Sequence, residues 1–235
     1  SNIKSTSPAR VVKGNQRVMK ARLSDAAFFY AEDKKQTLEA RVDATEHVVF
    51  QAKLGSLRDK TRRLETLVGH IATLLHYDRA EAMRAARLSK CDLLTGMVGE
   101  FPELQGVMGR YYARLDGESD AVSCALHEQY LPRFSSDTLP ETILGLILSL
   151  ADRLDTLVGA FGLGMKPKGD RDPFKLRRHA LAVVRLFKAL PLSLGLQDLL
   201  QAAISAYGVQ FEADKTLAST IKGFILDRLP AYYHD

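Results

Sequence analysis

Three groups of residues in this 235-residue chain combine types that can do chemistry. Asp152 and Asp155 flank Arg153 and lie three positions apart, a spacing that on a helix brings both carboxylates to one face. A buried carboxylate is costly unless paired, so an ion pair or a loop cap is favoured over a reactive site. Arg177 and Arg178 are the natural partners. A second group is the run Lys166-Pro-Lys168-Gly-Asp170-Arg171, continued by Lys175, Arg177 and Arg178. Cations on a loop and the next helical turns form a track that can follow a phosphate backbone and release its counterions. For Arg177 and Arg178, RNA contact and structural pairing weigh equally. The third group, Arg110-Tyr111-Tyr112, sets a cation beside two rings, as unstacked RNA bases require, although Tyr111 reads more readily as a core residue.

Other chemistries find less support. Cys91 and Cys124 have no metal-type spacing and show no paired histidine, which argues against a zinc site or a thiol nucleophile and for reduced thiols in a cytoplasm. Gly162-Leu163-Gly164 lacks the continuation of a phosphate-cradling loop. His70 and His76 have no matching ligand pair, and the one His-Asp dipeptide is the final His234-Asp235. Hydrophobic residues make up 46% and charged residues 26%, an ordinary globular balance. No apolar run reaches the roughly 18 residues of a membrane span, and no cleavable leader opens the sequence.

Charge is segregated. Residues 1–22 hold six Lys/Arg (Lys4, Arg10, Lys13, Arg17, Lys20, Arg22) and no acid, while residues 161–190 hold eight against Asp170 and Asp172. Together these tracts carry +12 in a chain whose net charge is +5, so the remainder is −7. A polyanion-binding face has this character; so do two solvated faces of unrelated elements.

The elements that must position these groups read as helices. Residues 1–36 read as a polar end followed by a short hairpin or bent extended segment, with Val11-Val12 and Val18 on either side of Gly14-Asn15. Leu38, Val42, Thr45 and Val49 suggest a first helix. Leu57, Leu64, Leu67, Val68, Ile71 and Leu75 make the apolar face of a second, with Arg58, Lys60, Arg62 and Arg63 on its outer side. Asp78-x-x-Glu81 reads as a capping box opening a third. Residues 90–113 form a dense central stretch, helical on both sides of a break at Phe101-Pro102. A helix after Gly117-Glu118 precedes a long one from near Pro140, apolar nearly all round and therefore interior. Phe161 to Asp172 reads as an exposed loop, and Asp172-Pro173 as a helix start. Helices over 196–207 and 214–229 complete the chain.

GNQRVMKARLSDAAFFY (14–30), VVFQAKLGSLRDK (48–60), KCDLLTGMVGEFPELQGVMGRYYA (90–113), LADRLDTLVGAFGLG (150–164) and DPFKLRRHAL (172–181) resemble, in order, the β subunit of the bacterial two-subunit glycyl-tRNA synthetase. The resemblance implies an all-α, degenerate HD-phosphohydrolase-like domain over 37–195, with 1–36 leaving a preceding domain and 196–235 leading toward an anticodon-binding domain. It further implies tRNA(Gly) and the α subunit as partners, with neither DNA nor membrane. Glycine activation then belongs to the α subunit, with ATP and Mg²⁺ used by the whole enzyme, and this piece has no catalytic residue or cofactor of its own. An HD site needs a histidine, a His-Asp doublet and a later aspartate around metal ions that activate water. Aligned by apolar pattern, Thr95-Gly96 fall where the doublet would be, and Asp152 or Asp155 where the last ligand would be. Two alternatives remain: a metal-dependent phosphohydrolase, and a purely structural module of the synthetase.

Overall fold

The computed structural model describes residues 7–169, 171–190, 194–208 and 215–230. The chain is all-α apart from one small hairpin. Its first element corrects the expected extended segment: α1 runs Pro8–Asp33 as one helix, with proline in its first turn. The residues around Val18, among them Met19, Lys20, Ala21, Arg22 and Leu23, are good helix formers, and an isolated two-strand segment would be marginal in water. Residues 7–25 are exposed throughout; the helix meets the rest of the molecule toward its far end, through Ala26, Phe29, Tyr30 and Asp33 and through Arg22, which pairs with Glu100 and lies over the Phe101 ring.

The helix expected from Thr37 is replaced by two 3₁₀ turns, Glu39–Arg41 and Asp43–His47, which still bury Leu38, Val42 and Thr45. The Asp116 carboxylate accepts from the Leu38 amide at 2.7 Å and fixes the start of this segment. Strands β1 (Val49–Gln51) and β2 (Gly55–Ser56) pair antiparallel, with Gly55 at φ +89° in the turn. Helix α2 (Leu57–Leu74) then opens with a full capping box between Ser56 and Asp59. Before α3 (Arg79–Leu88), Asp78 caps as expected, but Glu81 bonds the Tyr77 and Ser119 hydroxyls instead of reaching back.

The central stretch contains a 3₁₀ turn at Cys91–Leu94, α4 (Gly96–Glu100), a second 3₁₀ turn at Pro102–Leu104, and α5 (Val107–Leu115). The break falls at Phe101, at φ −127° and ψ 77° before its proline. Gly106 sits at φ +80°, where a Cβ would also lie 2.6 Å from the Tyr130 ring, so glycine is required twice over. Helix α6 (Asp120–Glu128) is capped by Ser119, and α7 (Ile143–Gly162) by Thr142. Asp172 accepts from the amides of Leu176 and Arg177, so α8 (Leu176–Ala189) starts later than Asp172-Pro173 suggests, after Lys175 at φ +55°. Helices α9 (Leu196–Tyr207) and α10 (Leu217–Leu226) follow.

Helix α7 is the axis, as its all-round apolarity predicts. It packs against α2, α3, α6, α8, α9 and α10, and it is buried without interruption from Leu144 to Asp155. Truncating one of its fully buried leucines, such as Leu154, to alanine would cost about 2–5 kcal/mol. Among the described residues no helix is long and apolar enough to cross a membrane.

Candidate nucleic-acid interface

Because α7 is buried on every side, its two aspartates point into protein and need partners there. Those partners come from α2, not from Arg177 or Arg178. Asp155 accepts from Lys60 Nζ at 2.8 Å and Arg63 Nε at 2.7 Å. Asp152 Oδ1 lies 3.2 Å from Lys60 Nζ and 3.1 Å from Lys90 Nζ. Lys90 also donates to Gln129 Oε1 at 2.7 Å, and Arg63 to the Leu54 carbonyl at 3.2 Å. The outer face read for α2 is therefore corrected: Arg58, Lys60 and Arg63 are buried, and of the four cations Arg62 alone is exposed. Lys60 lies on the stripe of Leu64, Leu67 and Ile71, a signal that was available in the spacing.

The electrostatics follow from burial and pairing. Burial would raise the Asp152 carboxyl, but Lys60, Lys90 and Arg153 hold it far below its ordinary range. Burial disfavours the Lys60 ammonium and is outweighed by Asp152 and Asp155, so that group is raised. For Lys90 burial wins over Asp152 and the group is lowered. His179 is pushed down to about 3 by burial and by Arg153, which leaves its imidazole neutral.

The donor set does not fit a hydrolytic metal. Two ammonium groups and a guanidinium already neutralise Asp152 and Asp155, and ammonium groups repel a divalent ion instead of binding it. Among the described residues no three of His, Cys, Asp and Glu gather as metal ligands. Thr95-Gly96 serve a different purpose. Thr95 Oγ1 accepts from the Val98 amide at 3.3 Å, while the Gly96 and Met97 amides donate to Asp33 at 2.8 and 2.9 Å. A Cβ at Gly96 would lie 2.6 Å from the Phe29 ring. The pair forms the seat of α1 on α4, and from this stretch it is Lys90 that reaches Asp152. Cys91 is buried, with its thiol pushed up to about 12 by burial, and both cysteines are free.

The basic tract lies outside this cluster. Lys166, Lys168, Arg171, Lys175 and Arg178 are exposed and Arg177 is half-buried. Reciprocal backbone bonds between Lys168 and Arg171, 3.1 and 2.9 Å, hold the turn, with Gly164 and Gly169 at positive φ. Arg177 donates to the Gly169 carbonyl and ties the loop to α8, while Arg178 reaches the Arg133 carbonyl at 3.4 Å. Lys166 lies 5.8 Å from the centre of the Phe161 ring. Asp170 lies outside the described residues. Arg110 is half-buried, its Nε without a partner among the described residues. Its neighbour Tyr111 is 56% exposed, which corrects the core reading, whereas Tyr112 is buried and donates to Asp33 at 2.9 Å.

Comparison with known proteins places this arrangement in a family. Residues 1–235 match the family described as glycyl-tRNA synthetase beta subunit. The glycine–tRNA ligase beta subunit of Chromohalobacter salexigens is 51% identical over all 235 residues, that of Aeromonas hydrophila 48% and that of Pseudoalteromonas atlantica 47%. In each case the match covers 100% of this chain and 34% of the relative. The chain spans about a third of the length of these relatives, and it belongs to the glycyl-tRNA synthetase β-subunit family.

Proposed function

We propose that this chain serves glycyl-tRNA synthesis by binding and orienting tRNA(Gly), within a cytoplasmic enzyme whose α subunit activates glycine with ATP and Mg²⁺. The segment itself supplies RNA contacts and inter-domain surface, on a helical shell read as a degenerate relative of HD phosphohydrolases. The observation that carries this reading is the split between its charges. The carboxylates that could have served catalysis are consumed in a buried ion-pair cluster, while Lys166, Lys168, Arg171, Lys175 and Arg178 stay exposed on the loop closed by the Lys168–Arg171 backbone bonds and on the start of α8. Arg110 beside the exposed Tyr111 adds a cation and a ring of the kind that grips unstacked bases.

The test uses the loop cations that make no side-chain bond in the cluster. Lys166→Glu, Lys168→Glu and Arg171→Glu together should weaken tRNA(Gly) binding by the complete enzyme at least tenfold and raise KM for tRNA. The melting temperature and the ATP–pyrophosphate exchange that reports glycine activation should stay unchanged. Aminoacylation and tRNA affinity that survive the triple reversal would instead favour the purely structural module.

A further inference from the structure

A cleft of two adjacent chambers, both open to solvent, lies between α7, α8 and the segment after α6, the outer on the side of Arg133 and Lys175 and the inner on the side of Phe50 and Lys60. The outer chamber has a volume of about 430 Å³ and the inner about 380 Å³, and Gln105, Tyr130, Arg153 and His179 line both. Each lies within the size range of small-molecule sites, roughly 300–1,000 Å³. Their linings differ in kind. The outer chamber presents Arg133, Arg153, Lys175 and Arg178 against one carboxylate, Glu103. The inner chamber has Lys60 and Lys90 at its floor against Asp152, and its walls are largely apolar: Phe50, Leu93, Met165 and Phe174.

Charge in and beneath this cleft does not balance. Lys60, Arg63, Lys90 and Arg153 are four buried cations against three buried carboxylates, Asp152, Asp155 and Asp92, the last acting on Lys90. Arg153 is the least compensated. Its Nη2 donates to the carbonyls of Tyr130 and Pro132 at 2.8 and 3.1 Å, and its Nη1 lies 3.9 Å from Asp152. Its Nε has no partner among the described residues, nor do the Tyr130 hydroxyl and His179 Nδ1 on the same walls. Buried polar atoms without partners are rare enough to need a reason. Asp172 occupies the amides of Leu176 and Arg177, so the attraction for an anion comes from side chains and not from the start of α8.

We propose that this cleft binds a nucleotide. Its phosphate enters the outer chamber between Lys175, Arg178 and Arg133, above the buried Arg153 charge, and its base enters the inner chamber between Phe174, Met165 and Phe50. Most of the surface lining the inner chamber is apolar, and Gln51, Gln105 and Thr156 add polar groups, which suits a flat ring with polar edges. The nucleotide could be free or stand at the end of an RNA strand. The site shares Lys175 and Arg178 with the basic tract of the tRNA reading, whereas Lys166, Lys168 and Arg171, whose reversal tests that reading, lie outside these linings.

Calorimetric titration of the 235-residue chain in phosphate-free buffer tests this with adenosine and guanosine monophosphate, the corresponding nucleosides and inorganic phosphate. One monophosphate should bind per chain, at least tenfold tighter than inorganic phosphate, and the nucleosides should bind more weakly than the monophosphates. Arg178→Gln with Lys175→Asn, the latter chosen because asparagine tolerates positive φ, should weaken the monophosphate about tenfold without lowering the melting temperature. Thr156→Trp should fill the inner chamber and erase the advantage of nucleotide over phosphate. Displacement of the monophosphate by a short single-stranded RNA assigns the site to a strand end, and failure to displace it assigns the site to a free nucleotide; either result retains the site. Absence of monophosphate binding, affinity no better than that of phosphate, or indifference to both variants would overturn the proposal.

Discussion

Lys60 bridges both aspartates of α7, at 3.2 Å from Asp152 and 2.8 Å from Asp155, and all three side chains are buried. Removing one partner from a buried ion pair leaves charge uncompensated and costs about 3–5 kcal/mol. Lys60→Ala should therefore cost about that much in urea unfolding, whereas Arg62→Ala, two residues on and exposed beside Asp59, should cost about 0.5 kcal/mol or less. Equal effects would contradict the buried network. The contrast was hidden in the sequence because a basic run normally marks a solvated face, and the acid that holds Lys60 and Arg63 is 95 and 92 positions away. Two other buried groups shape the acid response. His179 is lowered from 6.5 to about 3, by burial and by Arg153 and Lys60, with Asp152 and Asp172 opposing. Between pH 6.5 and 3 the unfolded chain binds a proton there that the folded one refuses, so acidification destabilises by up to about 1.4 kcal/mol per pH unit. Asp92 is raised from 3.8 to about 6 by burial, against the pull of the Gly106 amide and Lys90. Between pH 6 and 3.8 the folded state binds the extra proton, and acidification stabilises. The two slopes oppose each other, so stability should be nearly flat from pH 6 to 4. Below that it should fall, as the lowered carboxylates Glu39, Asp59, Asp137 and Asp152 lose their charge. Asp92→Asn should expose the His179 slope, a steady loss through the same window; a variant that stays flat there would refute the assignment.

Among the elements, α1 meets the rest of the fold chiefly at α4. Helix α1 is exposed over residues 7–25 and is held at its far end by Asp33, whose carboxylate accepts from two backbone amides at the start of α4 and from the Tyr112 hydroxyl. Losing a charged acceptor from buried donors costs about 1–3 kcal/mol. Asp33→Ala should cost that much and should release the Gly96 and Met97 amides to hydrogen exchange ahead of the α7 amides; simultaneous exchange of both sets would show that Asp33 does not anchor the helix. The elements that were legible in the sequence are those whose own residues decide them. Helix α7 is apolar enough to be interior wherever it packs, and α2 and α3 carry caps written in adjacent residues. Helix α1 was not legible, because its valines and Gly14-Asn15 imitate a hairpin while its helical residues have no apolar stripe to give a period. Residues 37–48 failed differently. Leu38, Val42 and Thr45 are buried as their spacing implies, yet the Asp116 bond to Leu38 and the entry into β1 leave room only for 3₁₀ turns. Thr95-Gly96 were chosen by apolar alignment alone, and the charge at Lys90 was passed over because a lysine does not resemble a metal ligand.

For the molecule as a whole, the separation of charge noted in the sequence becomes a separation in space. The described cations of the first tract, Arg10, Lys13, Arg17, Lys20 and Arg22, all lie on the exposed helix α1, whereas six of the eight in the second lie in the 166–178 tract beside the cleft and the other two, Arg185 and Lys188, further along α8. Lys4 lies outside the described residues. Both tracts would attract a polyanion at long range, so affinity alone cannot say which one touches RNA. The salt dependence can, because each phosphate neutralised in contact adds about 0.7–0.9 to the slope of log affinity against log salt, whereas a charge acting at a distance changes affinity mainly at low salt. Neutralising Lys166, Lys168 and Arg171 to glutamine should flatten the slope for tRNA(Gly) by about 2–3 and weaken binding at every salt concentration tested. Neutralising Arg10, Lys13 and Arg17 in the same way should lower affinity only below about 0.1 M salt and leave the slope at higher salt unchanged. The reverse pattern, a slope that depends on α1 and ignores the loop, would move the RNA contact to α1 and leave the 166–178 tract with no part in holding it.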